Sequence, residues 1–473
     1  MRLSAFNLYV DRYPEPDDTL IHNTFTGAYV VLPTSDVDVL RRAERGEPLS
    51  PEEQEIAADP DLTDPNVAVV VESRNHEEEA FRAWFEARRS QRELHAILSI
   101  NLACNFDCPY CCQAEVMSGK VMTPAHADAT AAWLAEHARE HDLDAVTLVF
   151  CGGEPLLHPE RIRRIAQGVR ERLQGTEIAV KVALITNGYY LTEELVAELL
   201  PYGLASAQVT LDGDETTHSI TRVSKQGEDT FARIFDNVKR ASRHIHIAVN
   251  GNYQEDTVHG FAPLVRKLSE AKLPKETRLL FAPAMEVLAS PDDVASGACT
   301  RSGSDTSMQI ALRDEIWREG FRASLPHDIG PCEFFDHHAF AIDPDGIIFK
   351  CPGFVGYPEW GIGHVETGLT GRYQRMIDQN PHRLCGSCEH KPNCGGGCVA
   401  AQWTAMGRPE GVNCEKTYLD RVKDESVVRG YLFATADSKE EAVGTFPPPS
   451  TQLPDEAPAL RTGHRPSALR VLG

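Results

Sequence analysis

No apolar run in this chain approaches the ~20 residues that a membrane-spanning helix needs, so no such span is expected. The opening Met1-Arg2-Leu3-Ser4-Ala5-Phe6 lacks the apolar core and small-residue cleavage site of a secretory signal. The expected location is therefore the cytoplasm, with no membrane partner. Basic residues are also in short supply: 47 Lys and Arg against 70 Asp and Glu give a net charge of −23. A phosphate backbone is bound by a basic surface, so nucleic acid is not an expected partner. Acidity by itself says only that the surface is well solvated.

What the chain does have is clustered cysteine. Thirteen cysteines without an export signal point to metal or cluster ligation rather than disulfides. Three lie at 104–111, and seven more fall between 332 and 414. At 473 residues, with 42% hydrophobic and 25% charged content, there is room for two or three ordinary globular domains.

Residues 1–93 read as a small α+β domain. Leu20–Leu32 suggests two strands about an Asn/Thr/Gly turn, and 67–71 a third. Ser35-Asp36 and Ser50-Pro51-Glu52-Glu53 are helix starts, and 76–92 has the spacing of a charged amphipathic helix. Residues 94–285 then alternate strand and helix. The strands are expected at 98–103, 145–150, 179–186, 206–211, 245–250 and 278–282, with helices at 124–140, 159–173, 193–200, 230–242 and 258–271. That order predicts an α/β fold, a partial (β/α)6 TIM-type barrel with its chemistry at the carboxyl ends of the strands. Residues 286–331 read as a linker, 332–430 as a cysteine-rich domain, and 435–473 as a poorly ordered Pro/Ser/Glu/Asp-rich tail.

The ends of the first four predicted strands carry polar or glycine-rich chemistry. Cys104-Asn-Phe-Asp-Cys108-Pro-Tyr110-Cys111 follows the first. Three thiolates spaced C-x3-C-x2-C can hold three corners of an iron–sulfur cubane and leave the fourth iron open, although a cysteine triplet also suits zinc. Gly152-Gly153-Glu154-Pro155 follows the second strand; paired glycines allow close backbone approach, and the carboxylate can accept from an ammonium group. Asn187-Gly188 ends the third, and Thr210-Leu211-Asp212-Gly213 the fourth. Arg222 can pair with a carboxylate or simply bridge a loop, and Asn250 on the fifth strand is another polar candidate. Cys112 and Cys151 fall outside the spacing and read as small hydrophobes.

These motifs together resemble radical S-adenosylmethionine (SAM) enzymes. The resemblance implies that Cys104, Cys108 and Cys111 hold a [4Fe-4S] cluster whose unique iron chelates SAM. Tyr110 would contact the adenine, Glu154 the amino group of SAM behind Gly152 and Gly153, and Asn187, Thr210, Asp212 and Arg222 would line the pocket. Thr210 replaces the family's usual serine and keeps its hydroxyl. One-electron cleavage would yield a 5′-deoxyadenosyl radical that abstracts hydrogen from an unactivated C–H bond, with the electron coming from a flavodoxin- or ferredoxin-type donor.

The later cysteines run Cys332, then Cys351 after Gly346-Ile-Ile-Phe-Lys, then Cys385-x2-Cys388-x5-Cys394-x3-Cys398, then Cys414. The order resembles the SPASM domain, an accessory module of many radical SAM enzymes, so that the likeness spans about 95–420. It implies two auxiliary [4Fe-4S] clusters, three clusters in all. Cys385, Cys388, Cys394 and Cys414 would enclose one; Cys332, Cys351 and Cys398 would hold the other. For the inner cluster's fourth position an open iron, His337 or His338, or Cys299 all remain, ordinary loop roles for the histidines included. Zinc is the competing occupant of 385–414.

Enzymes with this module most often modify peptides or proteins. The 1–93 segment resembles the winged-helix-like domain that binds leader peptides, and reads equally well as a packing cap. The first expectation is thus a maturase of a ribosomally made precursor peptide, forming a thioether or carbon–carbon cross-link. An anaerobic sulfatase-maturating enzyme forming formylglycine is the alternative, against which Pro352 stands where those enzymes carry an aspartate. A zinc-stabilised, non-catalytic peptide-binding protein is the reading from another class.

Overall fold

The computed structural model describes residues 2–111, 113–284, 308–325, 332–400, 402 and 414–454. The N-terminal region pairs β1 (Arg2–Leu3) with β5 (Val70–Val71) and builds a three-stranded antiparallel sheet from β2 (Asn7–Asp11), β3 (Asp18–Asn23) and β4 (Tyr29–Pro33). The sheet's third strand is therefore β2, and the expected strand at 67–71 is only a two-residue pairing. Polar Asn7 and Asp11 mask the alternation of buried Leu8 and Val10. Leu8, Val10 and Leu20 pack against Val427 and Val428 of the helix Lys416–Thr435, which ties the first domain to the end of the chain.

Leu94, Ala96 and Leu98, each fully buried, alternate along β6 (Glu93–Ser99). This strand starts earlier than the apolar run suggests, because Glu93 and His95 occupy its other face. Residues 100–103 have already left it, with Leu102 donating to the Lys120 carbonyl at 2.7 Å. Five more parallel strands follow in sequence order: β7 (Ala145–Cys151), β8 (Ala179–Thr186), β9 (Leu204–Thr210), β10 (His246–Tyr253) and β11 (Arg278–Pro283). Helices Pro124–Glu140, Pro159–Arg172, Glu193–Leu199, Phe231–Ala241 and Phe261–Glu270 connect them, as the alternation implied, with one addition, Glu215–Thr221, capped by Asp214. The result is an α/β arrangement around a mostly parallel sheet.

The sheet does not stop at β6. β12 (Ala339–Ile342) pairs with it in parallel, and β13 (Ile347–Phe349), β14 (Gly363–His364) and β15 (Gly368–Leu369) continue antiparallel. The cysteine-rich segment thus grows out of the barrel's first strand rather than hanging from a tether.

Two stretches expected to be irregular hold structure. Inside 286–331, Met308–Arg318 is a helix with Ile310, Leu312, Ile316 and Trp317 buried. In the tail, Ser438 caps the helix Lys439–Gly444, and Phe446 meets Trp317 and Phe433 edge-on. The polar residues that suggested disorder are caps and surface positions around these few large side chains. Cys112, Cys299 and 455–473 lie outside the described residues.

A buried ion pair joins these pieces. Arg429 meets both carboxylate oxygens of Asp314 at 2.6 Å, and its guanidinium also donates to the Glu425 and Pro447 carbonyls. Both side chains are wholly inaccessible. Removing one partner strands a buried charge, so Asp314→Ala is expected to cost on the order of 3–5 kcal/mol. The double variant Asp314→Leu/Arg429→Met should recover most of that loss in a denaturant melt; a double variant no more stable than the single one would refute this account.

Candidate active site at the carboxyl ends of the strands

The strand ends converge through backbone contact before any side chain is considered. Gly153 donates to the Asn101 carbonyl at 3.1 Å, and Glu154 to that of Ala103 at 2.8 Å. A Cβ on Gly152, whose φ is +131°, would stand 2.3 Å from the Asn101 oxygen; one on Gly153 would stand 2.1 Å from that of Ala103. The two glycines are therefore needed for packing against the chain that enters the cysteine loop. Asn101 locks the same junction, donating to the Glu154 carbonyl at 2.9 Å while its own Oδ1 accepts from the Ala103 amide.

Glu154 is fully buried and well supplied with donors. Its oxygens accept from the Leu156 amide at 2.9 Å, the Thr186 hydroxyl at 2.7 Å and the Asn187 amide at 2.7 Å. Burial pushes its carboxyl above the usual range, opposed by those hydrogen bonds. An ionised carboxylate has about four acceptor positions, and three are used inside the protein. Asn187 turns its Nδ2 to Asn105 at 2.8 Å and lies 3.9 Å from the Cys104 sulfur, which links the third strand end to the cysteine loop.

Tyr110, Asp212 and Arg222, chosen separately in the sequence, form one network. The Tyr110 hydroxyl donates to Asp212 and accepts from Arg222 Nη1 at 3.1 Å. Asp212 also accepts from the Asn252 amide at 2.8 Å. Burial raises the Asp212 carboxyl, against the pull of Arg222. Burial likewise raises the Tyr110 phenol. The Arg222 guanidinium lies over the Phe106 ring at 5.3 Å and leaves a buried Nε without a hydrogen-bond partner among the described residues. Thr210 and Asn250 face each other in register on β9 and β10, both half-buried, and the Asn250 carbonyl accepts from the Leu211 amide.

Cys104, Cys108 and Cys111 are reduced, half-buried and within electrostatic reach of one another. Burial pushes the Cys108 thiol up to about 11. Desolvated thiols of this kind ionise when a metal takes the proton's place, so the donor set suits a thiolate-bound cluster. Cys151 stays out of the group, buried with its sulfur 3.5 Å from the Ser99 hydroxyl.

Residues 98–254 match the family model described as the Radical SAM superfamily. They form a radical SAM domain, and the protein is an enzyme. A radical SAM cyclopropyl synthase, TigE, from Paramaledivibacter caminithermalis is 21% identical over 362 residues, 70% of this chain and 74% of its own. An uncharacterised protein of Methanocaldococcus jannaschii is 31% identical over 104 residues, 21% of this chain and 32% of its own. An AdoMet-dependent heme synthase of Methanosarcina barkeri is 30% identical over 24% of the chain and 30% of its own. The chain thus spans about a third of the length of these last two. Among solved structures, anSMEcpe with bound AdoMet superposes with TM-score 0.55 at 16% identity, over 70% of this chain and 96% of that one. Radical SAM domains use SAM and a [4Fe-4S] cluster.

The later cysteines fall into two sulfur groups. Cys385 senses the charge of Cys388, Cys394 and Cys414, and burial pushes its thiol up to about 11. Cys351 senses Cys332 and Cys398 and is pushed up to about 12, again by burial first. His337 and His338 are directed elsewhere, His337 to Glu86 at 3.2 Å and His338 to His137 at 3.1 Å. Lys350, which the sequence did not single out, is buried beside Cys351 and donates to the Asp336 and Ala339 carbonyls. Burial brings its ammonium down to about 7. Asn101 was also overlooked; the one signal was a polar residue inside the apolar run 97–102.

Gly153→Ala should push the Ala103 carbonyl aside and disorder the cysteine loop. Reductive SAM cleavage is expected to fall at least about tenfold, given a near-contact that misplaces catalytic groups, while Gly444→Ala, in open surroundings, leaves it unchanged. Equal deoxyadenosine formation by the two variants would refute the packing role.

Proposed function

We propose that the enzyme is a radical SAM/SPASM maturase of a ribosomally synthesised peptide, forming an intramolecular thioether or carbon–carbon cross-link. The observation that carries this reading is where the N-terminal domain docks. Thr24 donates to the Glu389 carbonyl at 2.7 Å, Lys391 pairs with Glu78, and His382 meets Phe81 and Phe85 edge-on. A leader peptide held by residues 1–93 would thus emerge beside the Cys385–Cys414 group and head for the barrel. The relatedness to a cyclopropyl synthase over most of the chain favours the carbon–carbon arm.

Cys104, Cys108 and Cys111 would hold the SAM-binding cluster, which supplies one-electron chemistry for hydrogen abstraction. The chain's own contribution is placement and exclusion of water. Tyr110, Asp212 and Arg222 would position SAM from the fourth strand, with Glu154 and Asn187 doing so from the second and third. Arg222's free Nε suits a carboxylate. Cross-linking removes two hydrogens from the peptide, one as a hydrogen atom and one as a proton whose electron needs an acceptor. The two later sulfur groups, with auxiliary [4Fe-4S] clusters, would provide it, and a flavodoxin- or ferredoxin-type protein would reduce the first. Formylglycine formation is the weaker reading: Cys351 is followed by Pro352, which starts a 3-10 turn, rather than by a carboxylate base.

Co-expression with short peptides encoded beside this gene, under low oxygen, tests the proposal by mass spectrometry. A loss of two hydrogens is expected. Protection of cysteine from later alkylation marks a thioether; free thiols throughout mark a carbon–carbon bond. No mass change on any neighbouring peptide would overturn the maturase reading.

Two variants test the cysteine roles. Cys104→Ala should abolish deoxyadenosine formation, whereas Cys414→Ala should retain some but yield no cross-linked product. Normal turnover by the first would refute the assignment of the triad, and normal product from the second that of the outer sulfur group.

A further inference from the structure

Three imidazoles meet on the outside of the barrel, at the opposite end of the strands from the SAM site. His137 and His141 lie one turn apart at the carboxyl end of the helix Pro124–Glu140, where it returns towards the start of β7. His338 immediately precedes β12, whose first residue, Ala339, is in register with His95 near the start of β6. One nitrogen from each ring can be chosen so that all three lie within 4.8 Å of one another. His137 Nε2 and His338 Nδ1 are 3.1 Å apart. Two nitrogens on one tetrahedral zinc, at 2.0–2.1 Å each, stand about 3.3 Å apart.

The tautomer of His141 is fixed by its surroundings. Its Nδ1 is 2.9 Å from the His137 carbonyl, which can only accept, so Nδ1 carries the proton and Nε2 presents a lone pair. The rings are crowded, with centroids 4.2 Å apart for His137 and His141, 5.3 Å for His137 and His338, and 5.0 Å for His141 and His338. Among the described residues one hydrogen bond joins the three rings, His137 to His338. Three rings this crowded, with His141 hydrogen-bonded to neither of the other two rings among the described residues, suit three ligands better than three free imidazoles. The Lys350 charge that faces His137 and His338 is held by the Asp336 and Ala339 carbonyls.

We propose that His137, His141 and His338 bind a divalent zinc ion that clamps the barrel's first helix to the start of β12. Imidazole nitrogens suit zinc, His141 is exposed enough to admit a water as fourth ligand, and the amino-terminal face of such a barrel is where stability rather than chemistry resides. The clamp lies six residues beyond Cys332 and so steadies the inner sulfur group against the barrel. It is independent of the peptide substrate.

The test uses the full, cluster-loaded chain, equilibrated with zinc, freed of excess by gel filtration, and analysed for zinc and iron. His141→Gln, at an exposed helix-end position, and His338→Gln should each hold one zinc ion fewer per chain than the wild type, with iron and SAM cleavage unchanged. Zinc-edge X-ray absorption of the wild type should show nitrogen neighbours at about 2.0 Å. Equal zinc in wild type and both variants, zinc with sulfur neighbours alone, or no zinc retained by the wild type would each overturn the proposal.

Discussion

The contact between Gly152–Gly153 and Asn101–Ala103 leaves no room for a Cβ on either glycine, and the site depends on it. The loop bearing Cys104, Cys108 and Cys111 has little regular structure of its own, so its position is borrowed from the neighbouring strand. Asn101 reinforces the borrowing from one side and Glu154 from the other. Because Glu154 then reaches Thr186 and Asn187, three strand ends are bound into one unit. The fourth joins through Tyr110 and Asp212. Each of these links is a hydrogen bond to a buried group, the kind whose loss leaves an unsatisfied partner and is therefore hard to relax away from.

This wiring changes what the motif residues are for. Glycines beside a ligand pocket invite the reading that a cofactor needs the space; here the space is taken by another stretch of backbone. Glu154 similarly spends most of its accepting capacity on protein amides and a hydroxyl. Tyr110 has its hydroxyl engaged by Asp212 and Arg222, which orients the ring without involving its face. The residues next to the cysteines serve first to hold one another, and contact with a small molecule uses what remains.

The sequence disclosed the barrel well because its signals are local and repeated: Pro at the first helical turn of Pro124–Glu140 and Pro159–Arg172, and apolar runs such as 145–151 buried on both faces. It hid β2, whose polar ends dilute a short alternation, and the true start of β6, where Glu93 and His95 interrupt the apolar pattern. The helix Met308–Arg318 was overlooked because a polar stretch before it suggested a linker, while its anchor, Arg429, is over a hundred residues away in sequence. The cysteine loop was legible from spacing, but not the partners of Tyr110, Asp212 and Arg222, since no local pattern encodes a hydrogen bond between different strand ends. His137 and His338 met for the same reason unannounced.

The parallel pairing of β12 with β6 has a bearing on how far apart the cysteine groups sit. Cys332 and Cys351 flank a hairpin whose first strand is hydrogen-bonded to the strand that delivers Cys104. The span between those sulfur groups is therefore measured out in sheet register, the least compliant ruler a protein has. A hinge between separate domains would let that gap breathe with each substrate; a shared sheet makes it a constant.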